Sequence, residues 1–149
     1  MSFHKHNSQI DILKGLQIDE PNVFVPWDKN VKDVEERFPK NLLIHITDGY
    51  YTIKDVTLFD ILTCNIGLHY DHGNMLKRIE FFRNDYDDLI KSYKDFQIVF
   101  ENKFGKPIKR KKVLNHFESC EWDIEGKVKI HHYVMDRFGL AEYLYIERK

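Results

Sequence analysis

Between Asp87 and Phe104, Leu89, Tyr93, Phe96, Phe100 and Phe104 recur at steps of four, three, four and four. That spacing puts five apolar side chains on one stripe of an α-helix. No other stretch limits the fold as much, because a stripe this rich in rings must be covered by an apolar surface of similar width. Asp85, Asp87 and Asp88 crowd the N-terminal end, where the helix dipole favours carboxylates. Gly105 suits the position just past the last turn, and Pro107 stops any continuation.

The rest of the chain supplies strands to cover that stripe. Asn30 caps a second, shorter helix over Asn30 to Phe38, in which Val31, Val34 and Phe38 share a face and Pro39 ends the run. Leu42 to Thr47 and Tyr50 to Thr57 flank Asp48-Gly49, a tight-hairpin signal. Leu58 to Tyr70 alternates and reads as one strand with a buried face, Asp60 being the exception. Met75 to Phe82 returns after the turn at Asp71-His72-Gly73-Asn74. A basic loop, Lys106 to Lys112, then precedes strands over Ser119 to Ile124, Lys127 to Met135 and Ala141 to Glu147. Residues 1 to 26 are weakly patterned: Ser8 offers a cap for a short helix carrying Ile10, Leu13 and Leu16, and Pro21 and Pro26 bracket an extended segment.

The expected fold is therefore α+β: an antiparallel sheet with two main helices packed on one face, in a single domain over 1–149. The helix ends also repeat. Glu35 to Lys40 and Glu101 to Lys106 lie at a constant offset of 66 residues, which suggests a duplicated helix-plus-meander unit over 28–83 and 87–147. This order resembles the β-lactamase-inhibitor-protein-like architecture, shared with small bacterial outer-membrane assembly lipoproteins. In those proteins a helix ending in a Phe-Gly-x-Pro element precedes a short antiparallel meander. The matching residues are Phe104-Gly105-Lys106-Pro107 and Phe38-Pro39, and the resemblance spans about 28–147. The chain departs from those families in lacking an export signal, a lipid-bearing Cys and a disulfide. The resemblance implies a binding or inhibitory scaffold. The chain is also similar in size and aromatic content to intracellular bacterial immunity-type proteins.

Charge and cysteine usage narrow the function further. Lys+Arg 23 and Asp+Glu 24 leave a formal charge of -1, which gives no overall field toward DNA or an anionic membrane. Apolar runs fall short of the ~20 residues that span a bilayer. With no secretory signal, Cys64 and Cys120 read as reduced thiols, and the expected location is the cytoplasm.

Three groups of residues bear on chemistry. His69, Asp71 and His72 sit at a strand–turn junction and are candidate metal ligands, with His45, His116 or His132 as a further donor, although the spacing matches no motif with a known mechanism. Exposed histidines on a polar turn are the plainer account. Adjacent strand residues point to opposite faces, so His131 and His132 do not grip one ion together; one packs toward the helices and the other faces solvent or a groove. The basic segment 106–112 is the one positive patch for phosphates, but it carries no interleaved aromatic for base stacking, so nucleic acid is disfavoured. Cys64 reads as core, and the acids around Cys120 blunt its thiol.

With no catalytic motif and no cofactor implied, the leading reading is a non-catalytic protein-binding module. It is an immunity or inhibitor protein in kind, occluding an unidentified protein partner with an aromatic-rich sheet face. Tyr50, Tyr51, Trp122 and Tyr133 are its candidate anchors. The alternatives are a metal protein or enzyme at His69, Asp71 and His72, and a nucleic-acid binder at 106–112. Ala141 to Glu147, read as an edge strand, is open to homodimer pairing.

Overall fold

A computed structural model describes residues 11–83, 88–114 and 117–149. Two strands form a ribbon, β1 (Gly15–Ile18) and β2 (Val23–Pro26). Helix α1 (Val31–Glu35) follows, then β3 (Ile44–Thr47), β4 (Tyr50–Leu58), β5 (Leu62–Tyr70) and β6 (Leu76–Phe82). Helix α2 (Leu89–Phe104) leads into β7 (Lys109–Leu114), β8 (Phe117–Ile124), β9 (Val128–Asp136) and β10 (Leu140–Arg148). Strands β3 to β10 form one antiparallel sheet in the order β3-β4-β5-β6-β10-β9-β8-β7. Each half of the chain thus contributes a four-stranded meander, and the halves meet where β6 pairs with β10, Phe81 opposite Leu144 and Ile79 opposite Ile146.

This corrects the expected fold class. The molecule is mostly β, not an α+β fold with two main helices packed on one face. Asn30 does cap α1, its side chain accepting from the Asp33 amide, but the helix runs for only five residues. Pro39 disfavours helical geometry at Phe38, and the stripe closes after one turn. A helix that short cannot cover four strands. The β1–β2 ribbon completes the layer instead, burying Leu16, Ile18, Val23, Val25 and Trp27. Trp27 ties the ribbon to the preceding segment by donating Nε1–H to the Ile12 carbonyl at 2.8 Å.

Helix α2 follows its sequence pattern. Asp88 caps it by accepting from the Lys91 amide, and Gly105 closes it at φ 85°. Tyr93, Phe96, Phe100 and Phe104 are buried on the sheet. Asp85 and Asp87, expected at the N-terminal end of this helix, lie outside the described residues, as do Ser8 and Ile10.

Leu58 to Tyr70 is a hairpin rather than one strand. Phe59 and Asp60 take positive φ, 53° and 69°, and the chain reverses so that Leu58 faces Leu62. The basic segment is not wholly a loop either, since Lys109 to Leu114 pairs with β8. Strand β10 is central rather than an edge, paired with β6 along Leu144 to Glu147 and with β9 on its other side.

Candidate functional site

Alternation along the strands sorts the sheet into two faces. Cys64, Ile66, Leu68, Ile79, Phe81, Ile130, Trp122, Leu144 and Ile146 point toward the helices and ribbon and form the core. The opposite face carries Tyr50, His69, Glu80, Arg78, Tyr145, His131, Tyr133 and Tyr143, and no described helix or strand packs on it. A sheet face left uncovered ordinarily carries small polar groups, so a row of rings there is the feature to explain.

The rings form two connected groups. On β9 and β10, directly opposed Tyr133 and Tyr143 stack with centroids 5.2 Å apart and planes 18° apart. His131 lies 4.3 Å from the Tyr133 ring and 5.7 Å from that of Tyr145. Its Nε2 is 2.8 Å from Ser119 Oγ on β8. Burial depresses the His131 pKa, so the ring stays neutral where a free histidine would begin to charge. Beside this ladder lies a groove of about 420 Å³ lined by Val113, Leu114, Ser119, His131, Tyr133 and Met135.

On β4 to β6, Tyr50 stacks on His69 at 4.4 Å and donates its hydroxyl to Glu80 across the intervening strand. Gly67 makes that reach possible: a Cβ there would stand 2.5 Å from Glu80 Oε1 and 2.8 Å from Tyr50 Cε1. His69 Nε2 approaches the same oxygen at 3.4 Å but off the line of a hydrogen bond. Arg78 joins the two groups, lying opposite both His69 and Glu147 and over the Tyr145 ring at 4.2 Å.

The four candidate anchors therefore separate. Tyr50 and Tyr133 lie on the open face. Tyr51 turns inward, packs against the core and meets Tyr70 edge-on. Trp122 is 1% exposed beneath α2 and donates Nε1–H to the Gly105 carbonyl at 2.7 Å, so no partner reaches it. Tyr143 and Tyr145 complete the ladder, and their alternation with Leu144 and Ile146 was the signal that placed them there.

The candidate metal ligands do not converge, and among the described residues no three of His, Cys, Asp and Glu gather as a metal site. Asp71 Oδ1 accepts from the Gly73 and Met75 amides and shapes the turn. His72 is exposed on that turn, and His45 stacks on Tyr51 at 4.8 Å. His116 lies outside the described residues. In the basic segment, Arg110 is engaged by Glu101 and Glu118 at 3.0 and 3.1 Å, and Lys109 lies 3.9 Å from Glu121.

Under the helix, the structure builds a polar chain that sequence reading missed. His132 is fully buried, with Nδ1 2.7 Å from Gln97 Oε1 and Nε2 bonded to Glu142. Gln97 gives its amide N–H to Glu101, which leaves Oε1 to accept from His132 Nδ1–H. Glu142 Oε1 accepts from Ser92 Oγ at 2.6 Å, and Ser92 in turn accepts from Arg83 Nε at 3.1 Å. The Tyr93 ring lies flat on the imidazole at 4.2 Å. The His132–Glu142 dyad has catalytic residue types, but both side chains are sealed in the interior, at 0% and 2% exposure. Its work is to fix α2 against β9 and β10. Neither thiol is activated: burial pushes Cys64 up to about 12 and raises Cys120 as well.

Among the described residues no helix is long and apolar enough to cross a membrane. No protein-family model matches the chain, and no curated protein does. One solved structure that it is similar to is a DUF4309 family protein, YjgB, from Bacillus subtilis subsp. subtilis str. 168. The likeness has a TM-score of 0.47 at 14% identity and covers 100% of this chain and 98% of that one.

Proposed function

We propose that this chain is a non-catalytic protein-binding module, of the inhibitor or immunity kind, that occludes a protein partner with the open face of its sheet. The supporting observation is the uncovered ladder of Tyr133, Tyr143, His131 and Tyr145 beside an apolar groove. Tyrosine presents a rigid apolar ring with a polar tip, which suits a surface that is wet when free and dry when bound. Met135 and Val113 are 42% and 53% exposed next to it, and Phe138 stands fully exposed at the β9–β10 turn. Arg78, Glu147, Lys129 and Glu121 provide a rim of mixed charge that would set orientation and on-rate more than affinity.

The test is retention of proteins from a cell lysate on the immobilised chain, comparing the wild type with Tyr133→Ala/Tyr143→Ala and with Ile61→Ala on the opposite side of the molecule. The expected outcome is a partner held by the wild type and Ile61→Ala and weakened at least about tenfold by the double variant, the scale of one or two hot-spot truncations. A partner held equally by all three folded proteins sinks the reading.

A further inference from the structure

A groove lies on the other side of the sheet from the aromatic ladder, between the β4–β5 turn and helix α2. It measures about 580 Å³, within the range of small-molecule sites. Its two lips are apolar and come from different elements. Ile61 on the turn is 74% exposed, and Ile98 on the helix is 59% exposed. Leu62 and Val99 line the groove between them.

Arg83 stands at the polar end and is held from three sides. Its Nε donates to Ser92 Oγ at 3.1 Å, one terminal nitrogen donates to the Thr63 carbonyl at 3.0 Å, and the guanidinium lies 4.3 Å over the Phe96 ring. Among the described residues no carboxylate pairs with it directly. The nearest in the chain of bonds is Glu142, reached only through Ser92, and its other oxygen is engaged by His132. The carboxylates on the groove's rim are engaged elsewhere: Asp88 caps the helix on the Lys91 amide, and Asp95 pairs with Lys91 Nζ at 2.7 Å. Of the five N–H donors of an arginine, these contacts use two. The remaining three are on a side chain already fixed in place, so little conformational entropy is lost when an anion docks.

We infer that this groove is a binding site for a small amphipathic carboxylate, with its anionic head on Arg83 and its apolar tail between Ile61 and Ile98. The inference is independent of the protein-binding face and stands or falls separately. Charge complementarity selects the head: an oriented guanidinium with free donors takes a planar carboxylate through paired hydrogen bonds, whereas an alcohol offers one weak acceptor. The isoleucines select the tail, since a ligand lacking one would leave both lips in water.

The experiment is titration calorimetry of the full chain with octanoate, octan-1-ol and acetate. Octanoate is expected to bind at least tenfold tighter than octan-1-ol, with acetate showing no detectable binding. Arg83→Gln should remove the preference for octanoate over octan-1-ol. Ile98→Asp, at an exposed position whose replacement leaves the core intact, should weaken octanoate at least tenfold without lowering thermal stability. Absence of octanoate binding overturns the inference. So does equal affinity for octanoate and octan-1-ol, or octanoate binding that Ile98→Asp leaves unchanged.

Discussion

The pairing of His132 with Glu142 shows how much a single inward-facing position can decide. Both side chains are buried, so each depends on the other and on Gln97 and Ser92 for every hydrogen bond it makes. Removing one partner strands a charge or an unsatisfied polar group, at a cost of about 3–5 kcal/mol. Replacing both with apolar groups removes the burden along with the bond. His132→Leu and Glu142→Leu are thus each expected to destabilise strongly, while the double variant loses clearly less than the two added together. Urea denaturation of all four proteins gives the coupling directly, and strict additivity would contradict it. The alternation around His131 and His132 did show that they face opposite ways. Glu142 was invisible because a carboxylate between Ala141 and Tyr143 reads as solvent-facing, and nothing local says that a histidine ten residues earlier waits across the strand. Trp122 fails as an anchor because it alternates with Cys120 and Ile124 on the core side, while Glu121 and Asp123 face the other way.

At the level of elements, sequence periodicity located most strands, with ends within a few residues, and misread three, the first being β1, whose Leu16 reads in the sequence as part of a short helix. Leu58 and Leu62 lie opposite each other across a three-residue turn. A turn of that length preserves parity, so the inward positions before and after it fall in one alternating series and a hairpin looks like a single strand. Glycine would have marked the reversal, but Phe59 and Asp60 adopt positive φ without it. Strand β7 was masked by composition, because Lys109-Arg110-Lys111-Lys112 has no apolar face to alternate. Its pairing is supported by Glu121 and Glu118 directly opposite Lys109 and Lys112. As an outer strand, β7 leaves backbone groups unpaired, and its lysines deter a second sheet from adding to it. Lys111→Val/Lys112→Val is expected to self-associate more than the wild type in sedimentation velocity across a concentration series. Identical sedimentation of the two would show that the lysines do not guard this edge.

For the whole molecule, acid is the expected weakness, because three groups shift in a sense that adds. Burial pushes Glu80 up, yet the close approach of His69, the hydrogen bond from Tyr50 and the nearby Arg78 charge outweigh it and hold its carboxyl below the usual 4.5. A hydrogen bond from Lys129 lowers Glu121 likewise, and burial lowers His131 below 6.5. In each case the unfolded chain takes up its proton at a higher pH than the folded one, so protonation favours unfolding. Stability should hold level from pH 6.5 up to the approach to 9.0, where the thiols of the unfolded chain ionise before the buried Cys64 does. It should decline below pH 6.5 as the unfolded imidazole charges, then fall further below 4.5 as the carboxylates protonate. Urea midpoints measured along this range check it, and a midpoint that rises on acidification would contradict the assignment. The strand order has a consequence for synthesis. Strand β10 is the last of the sheet to leave the ribosome, yet it is one of the two middle strands. Until it arrives, β6 waits with one side unpaired, and Ile79 and Phe81 lack the neighbours that later bury them. The nascent chain therefore carries half a sheet whose sticky margin is its future centre, and the two meanders can be sealed together only after translation has passed Arg148.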